Sequence, residues 1–141
     1  MVQFPYKSSI MPFLLDPKYI VEAERELGLF LPPLYQLKMI QFNGGEIITT
    51  EHSWSIFPIF DGADEQRVSR TCNHVVSETN IARTWPGFPA LAVAIAENGW
   101  GDYLVLLPSE VDMSELRENV FLWVYESGQL LEVADSVEEL L

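Results

Sequence analysis

The chain has 141 residues, with 21 Asp and Glu against 8 Lys and Arg, a formal net charge of −13, two His and one Cys. That length suits a single domain burying roughly two thirds of its unfolded surface. The 48 % hydrophobic content excludes wholesale disorder, and a lone cysteine excludes a disulfide scaffold or a thiolate zinc fold. A surface this acidic repels phosphate backbones, so direct nucleic-acid binding is not expected and a basic protein partner is.

Residues 1–15 are apolar with two prolines and read as an arm or short strand tied to the body. Asp16-Pro17 opens the first helix, because an Asp cap and a Pro at the first helical position satisfy orphan amides and pre-set φ. Ile20, Ala23 and Leu27 fall at helical spacing, and Gly28 supplies the left-handed stop. After Leu29-Phe30-Leu31, Pro32 or Pro33 starts a second helix that Asn43-Gly44-Gly45 ends.

The period then changes from 3.6 to 2. Strands are expected over Glu46–Thr50 and Trp54–Phe60, the latter with Pro58 forcing an edge or a bulge. Asp61–Gln66 reads as a polar loop and Ser69 to Arg83 as a helix. Leu91, Val93 and Ile95 alternate with Ala92, Ala94 and Ala96, as a central strand covered on both faces requires. Asn98-Gly99-Trp100-Gly101 turns the chain into a return strand, Tyr103–Leu107. Pro108–Glu118 is a polar, acidic insertion with one helical turn expected around Met113–Leu116. Phe121–Tyr125 and Leu130–Ala134 are further strands, and Asp135-Ser136 with Glu138-Glu139 forms a capping box for a last short helix. This order predicts one α+β domain over residues 1–141, with a mixed or mainly antiparallel sheet of about five to six strands and helices mostly on one face.

Little in the chain points to catalysis. Cys72 and His74, two apart on a helix, would point away from each other, so neither a metal site nor a Cys–His nucleophile is expected, and Cys72 reads as a small core residue. His52 would have to come from elsewhere. Gly44-Gly45 and Gly99-Trp100-Gly101 lack the residues of a phosphate cradle. No catalytic residue, cofactor or metal is therefore assigned.

The charge is uneven. Residues 97–141 hold Glu97, Asp102, Glu110, Asp112, Glu115, Glu118, Glu126, Glu132, Asp135, Glu138 and Glu139 with Arg117 as the sole base, a net of −10. Glu110, Asp112, Glu115 and Glu118 form the candidate interaction patch, joined by Asp102 and by Trp100, whose turn offers it either to the second helix or to a partner. Trp123, in strand alternation, is expected in the core. No charged segment precedes an apolar one at the N-terminus, and the Ala90–Ala96 run is far short of a membrane span, so a cytoplasmic protein is expected.

Ile20-Val21-Glu22-Ala23-Glu24-Arg25-Glu26-Leu27-Gly28-Leu29-Phe30-Leu31-Pro32, then Tyr35 and Phe42-Asn43-Gly44-Gly45, resembles the N-terminal signature of the SUKH superfamily. Phe57-Pro58-Ile59-Phe60, Asn98-Gly99-Trp100-Gly101-Asp102 and Val133-Ala134-Asp135-Ser136-Val137-Glu138-Glu139-Leu140 follow in the order that family has, so the resemblance covers residues 16 to 141. Pro33 departs from the pattern, where an acidic residue is more usual, which would start the second helix one residue later. The resemblance implies a domain that acts by binding. Its bacterial members of this size neutralise a cognate toxin, often a nuclease, and its fungal members regulate cell-wall glucan assembly. Those regulators usually carry disordered flanks, which are not read here, so the expectation is an immunity protein with a basic toxin domain as partner, itself a monomer or weak homodimer.

Overall fold

A computed structural model describes residues 14–49 and 52–140. Most of the expected N-terminal arm therefore lies outside the described residues; of it, Leu15 is buried and its N–H donates to Ile40 O at 3.0 Å. Helix α1 spans Pro17–Leu27. Asp16 caps it by accepting from Lys18 N, and Gly28, at φ 71°, closes it through its N–H to Glu24 O at 2.8 Å. Helix α2 spans Pro33–Gln41, so it starts at Pro33 itself and not one residue later. Proline suits that first position because its missing N–H would have had no helical partner. Gly44 and Gly45 both take positive φ, at 101° and 104°, turning the chain straight into the sheet.

The sheet has six strands in the order β1-β2-β3-β4-β5-β6, and every neighbouring pair is antiparallel. These are β1 Gly45–Ile48, β2 Ser53–Ile56, β3 Val93–Glu97, β4 Tyr103–Pro108, β5 Leu116–Trp123 and β6 Leu130–Ala134. A meander of this kind pairs each strand with the next in sequence, even though two helices separate β2 from β3. The alternation at Ala92–Ala96 places β3 centrally, with Ala92, Val93 and Ala94 wholly buried. On one face Leu104, Ile47 and Ile56 meet Tyr35 and Lys38 of α2, together with a 3-10 turn over Val137–Leu140. On the other, Tyr103 and Trp123 pair across β4 and β5 and pack against Phe88 from the loop before β3.

Several elements differ from the sequence expectation, each for a traceable reason. The strand expected over Trp54–Phe60 stops at Ile56. Pro58 has no N–H to give, and the Asn43 side chain occupies both polar groups of Ile59, accepting from its N and donating to its O, each at 2.8 Å. The helix expected from Ser69 to Arg83 is two: α3 Glu65–Arg70 and α4 Val75–Ala82. Asp64, placed in a loop by the sequence pattern, accepts from Arg67 N and starts α3 early. Thr71 ends it, its hydroxyl donating to Arg67 O and accepting from Asp61 N. His74 then caps α4. The expected helical turn at Met113 is instead a tight non-helical turn, and β5 begins at Leu116, inside the span read as insertion. The last helix is a 3-10 turn, and in place of a reciprocal capping box two separate bonds form, Asp135 N donating to Glu139 and Glu138 N to Ser136 Oγ.

The free edge of β3 left by the short β2 is covered by α4. Thr79, fully buried, accepts from Ala94 N at 3.0 Å and lies 3.4 Å from Ala94 O, so one hydroxyl replaces a missing strand partner.

Candidate functional site

The six residues singled out by sequence fall into two groups at opposite ends of the meander. Glu110, Asp112 and Glu115 are exposed in the β4–β5 turn, at the far end of β4 from Trp100 and Asp102 in the β3–β4 turn. The β4–β5 turn is held rather than loose. Phe30 forms a parallel bridge to Glu115, with its N donating to Ser114 O at 2.8 Å and its O accepting from Leu116 N at 3.0 Å. Asp112 accepts from both the Ser114 hydroxyl, at 2.6 Å, and Ser114 N, at 2.9 Å. Those two bonds, the hydroxyl's first, hold the Asp112 carboxyl below the usual carboxylate range, so it stays charged. Between the acids, Val111 is 98 % exposed and Met113 61 %. Exposed apolar side chains interleaved with carboxylates along one turn have the composition of a protein interface, apolar contact beside charge.

Glu118 belongs to the fold instead. It sits on β5 and its Oε2 accepts from Leu34 N at 3.1 Å, capping α2, whose own cap residue Pro32 offers no side-chain acceptor. Sequence reasoning missed this because the acceptor lies 84 residues from the amide it serves. Glu118→Ala is expected to cost about 1 kcal/mol of unfolding free energy, the usual worth of a helix cap, measurable by urea denaturation. Glu24 acts similarly nearby, its Oε2 accepting from Leu31 N at 2.8 Å to fix the α1–α2 connector.

At the other end, Asp102 is also engaged within the chain, accepting from Asn98 Nδ2 at 3.0 Å and from Tyr125 N at 2.9 Å. Those bonds join the β3–β4 and β5–β6 turns. Trp100 is 78 % exposed and does not pack on the second helix; its backbone N is held by Asn98 Oδ1. Gly101 cannot be enlarged, since a Cβ there would stand 3.1 Å from the Tyr125 ring, at φ 96°.

The residues considered for chemistry are apart. Cys72 is exposed between α3 and α4, not in the core and not on a helix. His74 Nδ1 accepts from Ser77 N, while His52 lies against Trp54 near the β1–β2 turn. Among the described residues no three His, Cys, Asp or Glu side chains are grouped to hold a metal ion. One carboxylate pairing was not foreseen: burial pushes the Glu78 carboxyl of α4 upward, and the charge of Glu97 on β3 adds to it. Among the described residues no helix is long and apolar enough to cross a membrane.

Helices packed on a six-stranded antiparallel meander make this a single α+β domain. The chain belongs to the SMI1 / KNR4 family (SUKH-1), whose model matches residues 14–141. No curated protein and no solved structure was found to match it.

Proposed function

We propose that this SUKH-domain protein is a non-catalytic immunity protein that neutralises a basic toxin domain, in the first instance a nuclease, through its acidic surface. The observation that carries the reading is the β4–β5 turn, where exposed Glu110, Asp112 and Glu115 alternate with exposed Val111 and Met113 on a backbone pinned to Phe30. A nuclease must attract phosphate, so its substrate cleft is basic, and an ordered acidic turn is electrostatically complementary to such a cleft. Trp100, exposed at the other end of the sheet, is a second contact in this reading.

The test is affinity capture from lysate of the source cells, washed at low and then high salt, with bound proteins identified by mass spectrometry. One large secreted protein with a basic C-terminal domain, released by salt, is the expected result. Recovery of kinases or wall-synthesis factors would instead favour the cell-wall-assembly regulator reading. With the partner in hand, a Glu110→Gln, Asp112→Asn, Glu115→Gln variant is expected to associate about tenfold more slowly at low salt. Its unfolding midpoint should shift little, because Glu110 and Glu115 are exposed and Asp112→Asn keeps a side-chain oxygen to accept from Ser114. An unchanged association rate would remove this turn from the interface.

A further inference from the structure

A second surface lies outside the acidic third. Between α1 and the start of α4 runs an open groove of about 490 Å³, lined by Tyr19, Glu22, Arg25, Glu26, Phe60 and His74. Tyr19, Glu22, Ala23 and Glu26 follow the spacing of one helix stripe, so α1 presents a ring and two carboxylates on the same side. Phe60 stands edge-on to Tyr19, with centroids 6.5 Å apart, and to His74, at 5.5 Å. Room for these rings comes from Gly62: a Cβ there would lie 3.0 Å from the Phe60 ring and 3.6 Å from that of Tyr19. His74 spends Nδ1 on Ser77 N, and burial lowers its pKa against the opposing pull of Glu26, so the ring is a neutral wall at pH 7. Among the described residues neither Glu22 nor Glu26 has an ion pair, with Arg25 or any other base.

We propose that this groove receives an arginine side chain of a partner polypeptide. A planar guanidinium stacks on aromatic faces while its edge donates to carboxylates, and the groove supplies both at once. Two carboxylates against the single base Arg25 leave the groove net negative, which favours a cationic occupant over an anionic one. The inference concerns residues distinct from the acidic turn, so it stands or fails separately from the immunity reading.

The experiment is an NMR titration of the full chain with N-acetyl-arginine methylamide, and in parallel with its citrulline analogue, which keeps the shape and loses the charge. Saturable shifts at Tyr19, Glu22, Glu26, Phe60 and His74 are expected with the arginine compound alone. A Glu22→Gln, Glu26→Gln variant should bind it about fivefold more weakly, as expected for losing two exposed charge pairs. Phe60→Ala should weaken binding while the shifts of the sheet amides show the fold retained. Equal shifts with the citrulline compound, or shifts confined to the acids of residues 97–140, would overturn the proposal.

Discussion

Replacing Trp123 with Ala is expected to lower the unfolding free energy by about 4 kcal/mol, the largest loss for any single side chain of this fold. Trp123 has no exposed surface and is the largest of the fully buried side chains. It gathers the aromatic layer on one face of the sheet: Phe88 at 5.2 Å, Tyr103 at 6.1 Å and Tyr125 at 6.2 Å between centroids. Its Nε1 donates to Gly87 O at 3.2 Å, which fixes the loop ahead of β3. Truncation thus removes transfer free energy, leaves a cavity between rigid strands, and strands a carbonyl. Urea denaturation of the wild type and Trp123→Ala measures the difference. Trp123→Phe keeps the ring and should lose about half as much. A loss for Trp123→Ala below about 1 kcal/mol would show that this layer does not hold the sheet together.

Stability is expected to rise with pH above neutrality, by about 3 kcal/mol from pH 7 to about pH 9.5, through Lys38. Lys38 lies under α2, 8 % exposed, beside a cavity of about 20 Å³ walled by Ile47, Ile56, Leu104 and Tyr35. Burial pushes its pKa from 10.5 down to about 7. Between those two values the unfolded chain holds a proton that the folded chain lacks. Unfolding then takes up a proton, so raising the pH favours the folded state; below about pH 7 both states are protonated and the contribution is constant. Lys38 donates to the carbonyls of Phe42 and Gly44, which is why a base is kept there: it satisfies the end of α2 where the chain turns into β1. Urea midpoints across this range, for the wild type and Lys38→Met, test the claim. The variant should lose the slope; an equal slope in both would assign the effect to other groups.

Both effects come from positions whose roles the sequence shows unequally. Trp123 is expected in the core from strand alternation and is buried, although its neighbours Phe121 and Leu122 are both half-buried beside a register shift in β5. Lys38 is not expected there. A lysine three residues from the end of a helix reads as a solvated residue favouring the helix dipole, and only the packing of α2 between the sheet and the 3-10 turn buries it.

The same division runs through the candidate surface. Acidity of the C-terminal third is a property of composition, and Glu110, Asp112 and Glu115 stay in solvent in the folded protein. Glu118 and Asp102 carry the same charge but are recruited as acceptors for amides of distant elements, a use that depends on which strand lies beside which helix end. The groove of Tyr19, Phe60 and His74 had no local signature either, since its walls come from three separated segments.

Much that neighbours within a few residues control is legible in the chain. The caps of α1 at Asp16 and Gly28, the glycine turn after α2, the buried run of β3 and the turn bonds at Asp135–Glu139 follow from local hydrogen bonding, φ preference and side-chain period. Tertiary structure decided where regular elements give way to side-chain partners. Asn43 ends β2 by binding Ile59, Thr71 and His74 divide one helical pattern into α3 and α4, and Thr79 serves the bare edge of β3. His74 does so through a local cap on Ser77 N; in the other cases a buried backbone group needs a hydrogen-bond partner, and the partner that reaches it is chosen by packing rather than by adjacency in the chain.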